Sequence, residues 1–269
     1  MNLRFESRLA LVTGADSGIG HSTAQTLAAE GARVIMTDID EAKLDSSLGK
    51  LKKAVPNGDV FAFAADLTST ADVERLYSQC RELGHVSVVA HLAGARGAAG
   101  DFLTLSDDDW RETVEIDLLG AVRVCRTFIP DMLEQSYGRI VLTASENAVQ
   151  PYIEESPYNA CKAGIINLGK CLSKAYGKRG VHVNVVSPAF IETPMTDAMM
   201  EERAEEKGVS VEEAVQGFLT EHRPGITLQR RGQPQEVANV IAFLCSDAAR
   251  FVDGSNYRVD GGSAQTAFS

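Results

Sequence analysis

The sequence predicts an α/β fold, with a doubly wound parallel sheet of about seven strands and helices on both faces. Three observations support this. Short apolar runs alternate with amphipathic helical segments along the chain. The first apolar run, residues 9–12, leads directly into a glycine-rich turn and a helix. The length of 269 residues also suits a single domain with a large core, spanning residues 1–269.

The elements of the N-terminal half repeat one order of strand, turn and helix. The first helix is expected at residues 19–29, with Gly31 as its stop signal. The same order predicts strands at 34–38, 60–64 and 86–92 and helices at 41–51 and 71–83. Because parallel strands are joined by right-handed crossovers, these units predict a Rossmann-type sheet that binds ligands at the carboxyl ends of its strands.

The C-terminal half continues the pattern. Ser106 and Asp109 form a predicted capping box, and one long helix is expected from there to about residue 132. A fifth strand delivers Ser145 at its carboxyl end, and the next helix carries Tyr158 and Lys162. The remaining predicted elements are strands at 181–186 and 256–259 and a helix at 234–245.

Residues 189–231 interrupt this order where a substrate should sit, directly after the sixth strand. Between residues 192 and 223 the segment holds nine acidic and three basic side chains. We interpret it as a mobile substrate lid, and a surface excursion that stabilises an oligomer is the alternative. Its apolar residues indicate an apolar substrate, with core packing as the alternative for at least two of them. These residues are Phe190, Met195, Met199 and Met200.

The composition excludes several classes of protein. A net charge of −11 argues against nucleic acid and anionic membranes as partners. No apolar stretch of eighteen residues is present, and residues 1–6 lack the features of a secretory signal, so we expect a cytoplasmic protein. The five cysteines lack the spacing of metal ligands, which predicts reduced, buried thiols and no metal site.

The turn between the first strand and the first helix predicts a dinucleotide site. Glycines in that setting let the backbone approach a pyrophosphate at the helix N-terminus. The residues expected to form this part of the site are Gly14, Ser17, Gly18, Ile19 and Gly20. Asp38 ends the second strand, where its carboxylate would accept both ribose hydroxyls of NAD and repel the 2′-phosphate of NADP. We therefore expect NAD, with NADP as the weaker alternative.

The pair Tyr158 and Lys162 predicts proton transfer, because residues at i and i+4 share one helix face. Bringing a phenol from a pKa near 10 to neutrality requires roughly 4 kcal/mol. A cation about 4 Å away at an effective dielectric near 20 contributes on the order of 4 kcal/mol. Ser145 would hold the substrate oxygen while Tyr158 gives or takes its proton.

With these motifs in order, the chain resembles the short-chain dehydrogenase/reductase family over nearly its whole length. The family's TGxxxGxG motif is found here at residues 13–20, its YxxxK at 158–162 and its late DGG at 260–262. The resemblance implies that Tyr158 is the acid/base, that Lys162 lowers its pKa and binds the nicotinamide ribose, and that Ser145 orients substrate. It also implies a homotetramer or homodimer packed through the two long central helices. The further cofactor contacts expected are Asp66 and Leu67 at the adenine, Ala93 and Gly94 by their backbone, and Ile191 and Thr193 at the carboxamide.

Two departures from the family pattern affect the catalytic site. His91 and Leu92 replace the two asparagines that usually precede Ala-Gly. Asp117 replaces the helix asparagine that supports a water beside the lysine. Asp117 could hold that water by its carbonyl, but its charge would partly offset Lys162 and leave Tyr158 less acidic. This predicts an alkaline pH optimum.

Together these features predict an NAD-dependent oxidoreductase that transfers a hydride between nicotinamide and a small secondary alcohol or ketone, apolar or cyclic. A 3-oxoacyl thioester reductase is the alternative of the same class. A catalytically weak NAD-binding sensor, disabled by Asp117, is the alternative of another class. An epimerase or dehydratase with the same motif would need a larger C-terminal substrate domain than follows Lys162.

Overall fold

The computed structural model describes residue 3 and residues 5–267. Seven strands form one sheet in the order β3-β2-β1-β4-β5-β6-β7, and every neighbouring pair is parallel. The strands are β1 Leu9–Thr13, β2 Arg33–Thr37, β3 Val60–Ala62, β4 Val86–His91, β5 Gly138–Thr143, β6 Val181–Pro188 and β7 Asn256–Val259. The prediction of a doubly wound, Rossmann-type sheet of seven strands is confirmed.

Helices cover both faces of this sheet. Within the described residues the α-helices are α1 Gly18–Ala29, α2 Glu41–Ala54, α3 Thr70–Leu83, α4 Asp107–Val114, α5 Gly120–Glu134, α6 Ser156–Tyr176, α7 Pro194–Lys207, α8 Val211–Glu221 and α9 Pro234–Cys245. The prediction of one uninterrupted helix from about residue 107 to 132 is wrong, because a π-helical turn at Glu115–Leu119 separates α4 from α5. A π turn holds one extra residue and often marks a functional site.

Local side-chain chemistry determines where several helices begin. Ser106 and Asp109 make the predicted capping box, in which the Ser106 hydroxyl accepts from the Asp109 amide at 3.2 Å. Asp40 caps α2 by accepting from the Lys43 amide at 3.0 Å. Because Asp40 performs this role, the Asp38 carboxylate is not needed to cap the helix.

Two apolar layers sandwich the sheet, since successive strand residues point to opposite faces. Ala10 and Val12 pack on one face with α1, α2 and α9, while Leu9 and Leu11 pack on the other with α3, α5 and α6. The two cores leave the carboxyl ends of the strands as the edge at which polar residues converge.

The segment predicted to be a lid folds into α7 and α8. It has a small core of its own, formed by Phe190, Met200, Phe218, Leu219 and Ile226, with Met199 packed against it. Three of the four apolar residues that indicated an apolar substrate therefore pack within this segment. Met195, which is 49% exposed, lies against the cleft instead.

The predictions from composition have mixed outcomes. All five cysteines are free, but Cys171 is exposed, so the expectation that all of them are buried is wrong. Within the described residues no group of three or more metal-ligating side chains comes together. No helix of that part of the chain is long and apolar enough to cross a membrane. The prediction that the chain lacks a secretory signal depended partly on residues 1, 2 and 4, which lie outside the described residues.

A pair of helix glycines tests the close packing of α6 on the sheet. A Cβ atom at Gly169 would lie 2.5 Å from the Val185 side chain, whereas a Cβ at Gly49 of α2 would meet nothing within 4 Å. We expect Gly169→Ala to lower the free energy of unfolding by about 1–3 kcal/mol. Gly49→Ala should raise it by about 0.5–1 kcal/mol, because alanine favours the helix. Urea denaturation of both variants checks this, and equal effects of the two would contradict it.

Candidate active site

A cleft with a volume of about 780 Å³ lies at the carboxyl ends of the strands. Ser145, Tyr158 and Lys162 line it together with every cofactor residue predicted from the sequence. Those cofactor residues are Gly14, Ser17, Gly18, Ile19, Gly20, Asp38, Asp66, Leu67, Ala93, Gly94, Ile191 and Thr193. Residues more than a hundred positions apart in the sequence therefore share one cavity, as the topology of a parallel sheet requires.

The glycine-rich turn brings backbone close to backbone. Gly14 has φ +66°, and a Cβ there would lie 2.8 Å from the Ala93 nitrogen. A Cβ at Gly20 would lie 1.8 Å from the carbonyl oxygen of Gly14. Ser17 precedes α1 but makes no side-chain cap, so the first amides of α1 have no partner from that side chain. Free amides at a helix N-terminus beside an open cleft suit a pyrophosphate, and this part of the site fits a dinucleotide.

The carboxylates of Asp16 and Asp38 lie close together beside the glycine-rich turn. The Asp16 amide donates to Asp38 Oδ2 at 3.2 Å, and the Ile39 amide donates to Asp38 Oδ1 at 2.8 Å. Burial raises the pKa of the Asp38 carboxyl, these two amides lower it, and the Asp16 carboxylate raises it further. Asp66 accepts from the amide and hydroxyl of Thr68 at 2.9 and 2.7 Å. Asp66 therefore stabilises the turn at residues 66–68 and also lines the cleft.

The three residues predicted to be catalytic come from two elements. Ser145 follows β5, while Tyr158 and Lys162 lie one turn apart on α6. The Lys162 ammonium lies 5.2 Å from the centre of the Tyr158 ring. Burial raises the pKa of the Tyr158 phenol, Lys162 lowers it, and Asp117 raises it again, so that the net direction is upward. The protein alone thus does not produce the lowering that the resemblance implied, because desolvation outweighs the nearby cation.

Asp117 contacts the catalytic lysine directly. Its Oδ1 lies 2.9 Å from Lys162 Nζ, and the side chain of Asp117 is fully buried. Burial alone would lower the pKa of Lys162, but Tyr158 and Asp117 more than offset this and raise it overall. Asp117 Oδ2 is buried with no hydrogen-bond partner among the described residues. A Cβ at Gly94 would lie 2.7 Å from Asp117 Oδ1, so this approach requires glycine.

His91 takes a different role from the asparagine that it replaces. It is buried beside Thr13, with its Nδ1 at 3.1 Å from the threonine hydroxyl. That hydroxyl also accepts from the amides of Leu92 and Ala93, both at 3.1 Å, so its own proton points to His91. Burial lowers the pKa of His91 to about 3, and Lys162 adds to this. A neutral His91 with an unprotonated Nδ1 therefore ties β1 to β4.

Several residues of the site were not predicted from the sequence. Thr13 and Asp16 line or support the cleft, and Asn147 accepts from the Ser145 hydroxyl at 3.1 Å. Thr13 and Asp16 had a readable signal, since both lie inside the glycine motif at residues 13–20. The contact of Asn147 with Ser145 depends on a 3-10 turn at Glu146–Ala148 that has no clear sequence pattern.

Comparison with known proteins assigns the family. A family model described as enoyl-(acyl carrier protein) reductase matches residues 14–264. The chain belongs to the short-chain dehydrogenase/reductase family. It is 34% identical to the 3-oxoacyl-acyl-carrier-protein reductase of Thermotoga maritima, over 97% of this chain and 99% of the relative. It is 32% identical to meso-2,3-butanediol dehydrogenase of Serratia marcescens, over 97% and 96%.

A solved short-chain dehydrogenase/reductase has nearly the same fold. L-sorbose reductase from Gluconobacter frateurii, complexed with NADPH and L-sorbose, superposes with a TM-score of 0.93 at 30% identity, covering 99% of this chain and all of the other. Membership of this family makes the chain an oxidoreductase that uses a nicotinamide cofactor on small molecules.

The Asp117 carboxylate should control the pH dependence of turnover. It raises the pKa of Tyr158, and a tyrosine that acts as a base does so as the phenolate, so the rate in the oxidative direction should rise with pH towards an alkaline optimum. In Asp117→Asn that pKa falls, and we expect the rising limb of kcat against pH to move to lower pH.

The matched control is Asp131→Asn, which removes a buried aspartate that pairs with Arg81 at 2.8 Å away from the cleft. Its pH profile should follow the wild type. A wild-type rate that is flat from about pH 6 to 10, or a profile unchanged by Asp117→Asn, would contradict the assignment.

Proposed function

We propose that this protein is an NAD-dependent oxidoreductase that interconverts a small, uncharged secondary alcohol and its ketone. The observation that carries the proposal is the convergence of Ser145, Tyr158 and Lys162 on one cleft that also fits a dinucleotide. Bound NAD would accept the hydride from the carbinol carbon, and NADH would return it.

The chain's own residues handle the proton. In oxidation Tyr158 Oη takes the hydroxyl proton of the alcohol, and in reduction it returns that proton to the ketone oxygen. Ser145 holds the same oxygen by a hydrogen bond. Lys162, charged and buried, compensates the negative charge that develops on Tyr158. Asp117 partly neutralises the charge of Lys162 and so raises the pKa of Tyr158. Because its pKa is higher, the Tyr158 phenolate is a stronger base once it forms.

The choice of NAD over NADP rests on charge. Asp38 and Asp16 both lie where a 2′-phosphate would bind, and each would repel it. The residues that line the cleft include one cation, Lys162, which is already paired with Asp117. L-sorbose reductase binds NADPH in its solved complex, so the preference proposed here differs from the cofactor seen in that enzyme.

The preference for an uncharged substrate rests on how the buried cations of the catalytic edge are paired. Lys162 pairs with Asp117, Arg223 with Glu146, and Arg231 with Asp197 at 2.7 Å. A substrate carboxylate would have to displace one of these partners. We also propose that α7 and α8 cover the substrate, with Met195 as the apolar contact.

Reduction of a 3-oxoacyl thioester is the second candidate, favoured by the 34% identity to the Thermotoga maritima enzyme. The lid argues against it, because Glu201, Glu202, Glu205 and Glu206 make the outer part of α7 acidic and an acyl carrier is acidic too. A sensor without turnover is disfavoured by the complete catalytic trio.

The assembly and the compartment are part of the same proposal. We propose a homotetramer or homodimer, as implied for short-chain dehydrogenase/reductases, with the exposed apolar side chains Phe102 and Leu103 as one candidate contact. Five free thiols fit a reducing compartment, so we place the protein in the cytoplasm.

Replacing the proposed acid/base distinguishes an enzyme from a sensor. Tyr158→Phe should lower kcat by about 10²–10⁴-fold while NADH still binds, since the ring remains and the proton is lost. Tyr137→Phe is the matched control, because Tyr137 is a partly buried tyrosine that bonds Asp247 at 3.1 Å away from the cleft. Turnover is measured with cyclohexanol, 2-butanol and 2,3-butanediol, and NADH binding by fluorescence. Unchanged turnover in Tyr158→Phe would refute the mechanism.

Replacing the ribose carboxylate tests the cofactor. Asp38→Ser removes a charged hydrogen-bond acceptor worth about 1.5 kcal/mol, so the ratio of kcat/KM for NAD over NADP should fall about tenfold. The matched control is Asp40→Asn, two residues along the chain from Asp38. Asparagine caps a helix as well as aspartate does, so α2 keeps its N-cap and the ratio should not change. If wild-type protein prefers NADP, or if both variants change the ratio alike, Asp38 does not set the choice.

A further inference from the structure

Arg223 occupies an unusual place between the lid and the catalytic edge. It follows the C-terminal end of α8, and its amide donates to the Phe218 carbonyl at 3.0 Å, which ties its backbone to that helix. Its side chain is 11% exposed, and the guanidinium carbon lies 5.1 Å from the centre of the Phe218 ring of α8 while its nitrogens reach the connection between β5 and α6. Arg223 thus belongs to the lid by its backbone and this ring contact, and it pairs by its charge with the catalytic edge.

The guanidinium contacts that connection at three points. Its Nε lies 3.3 Å from Glu146 Oε1, and a terminal nitrogen lies 3.4 Å from Glu155 Oε1. The planar group also stacks on Tyr152, 3.3 Å from the ring centre. A planar cation that satisfies two carboxylates and one aromatic face has a fixed orientation, which a lysine could not reproduce.

A chain of hydrogen bonds leads from this cluster to the catalytic serine. Glu155 Oε2 accepts from Asn147 Nδ2 at 2.5 Å, and Asn147 Oδ1 accepts from the Ser145 hydroxyl at 3.1 Å. Asn159 of α6 accepts from the same Asn147 amide group at 2.9 Å, so both donors of that amide are used. The orientation of Asn147, and with it the acceptor offered to Ser145, is therefore fixed by Glu155 and Asn159 together.

Glu146 makes the docked position of Arg223 energetically favourable. It is 2% exposed; burial raises the pKa of its carboxyl, and the nearby Ser263 hydroxyl and Arg223 lower it in part. Its second oxygen has no hydrogen-bond partner among the described residues. Moving Arg223 away would leave a buried carboxylate without its cation, which is strongly unfavourable. The lid segment is thus held against the catalytic edge because its Arg223 neutralises the buried carboxylate of Glu146.

We propose that Arg223 is a positioning residue that couples docking of α7 and α8 to the orientation of Ser145. The proposal deepens the proposed function, and rests on it, because Ser145 is taken to hold the substrate oxygen. When the lid is docked, Arg223 holds Glu155, Glu155 and Asn159 orient Asn147, and Asn147 fixes the rotamer of Ser145, whose hydroxyl turns to the substrate oxygen when substrate binds. Undocking would release Glu155 from this chain, so that Ser145 is fully positioned only under a closed lid.

The kinetic test separates an action through Ser145 from a general loss of structure. Arg223→Gln should lower kcat/KM about tenfold with the best alcohol among cyclohexanol, 2-butanol and 2,3-butanediol. In a Ser145→Ala background the same change should cost less than about twofold, since the group on which Arg223 acts is gone. An equal loss in both backgrounds, or no loss in either, would overturn the proposal.

Two further variants keep the test interpretable. Arg223→Gln combined with Glu146→Gln removes the unpaired buried charge, so this double variant should fold and still show the loss of kcat/KM. Arg230→Gln is the matched control: Arg230 pairs with Glu236 at 2.7 Å and has no bonded path to Ser145. Its kcat/KM should equal that of the wild type, and a tenfold loss in Arg230→Gln would show that any arginine of this region has the same effect.

A second measurement needs no turnover and so stands apart from the proposed function. Hydrogen–deuterium exchange of residues 194–221 and 146–155 should accelerate in Arg223→Gln and remain at the wild-type rate in Arg230→Gln. If no alcohol is oxidised but the exchange changes as expected, the proposed function fails while the docking of the lid by Arg223 stands. If exchange in Arg223→Gln matches the wild type, the docking role is refuted.

Discussion

The buried ammonium of Lys162 is the constraint on which the catalytic edge depends. A charge at that depth is tolerated only if a partner neutralises it, and Asp117 does so at 2.9 Å. Asp117 lies in the π turn, and a glycine at position 94 leaves room for its carboxylate. Burial raises the pKa of Tyr158 most, and the pair modifies it because Asp117 partly offsets the lowering by Lys162.

The fold could be predicted from the sequence because its signals are local. Alternating apolar runs and amphipathic segments indicated all seven strands, and the Ser106–Asp109 capping box indicated a correct helix start. The π turn could not be predicted, since Glu115–Leu119 has an ordinary helical composition. The exposure of Cys171 was also missed, because a helical pattern alone does not say which face of α6 is covered.

The candidate site was predictable to the extent that it follows motifs. The glycine turn, Asp38, Ser145 and the Tyr158–Lys162 pair meet in one cleft because the sheet brings the ends of its strands together. Contacts between elements distant in sequence were not predictable. His91 pairing with Thr13 and Arg223 pairing with Glu146 join residues 78 and 77 positions apart, and no spacing rule connects them.

The π turn also determines which changes in chain length this protein can tolerate. A π turn accommodates one extra residue, so deleting one residue from Glu115–Leu119 would restore regular α-helical winding while α4 and α5 keep their faces. The residues of the turn itself would shift, and Asp117 would lose its present position beside Lys162. A related sequence that is one residue shorter here should therefore keep the fold and lose the carboxylate contact with the lysine.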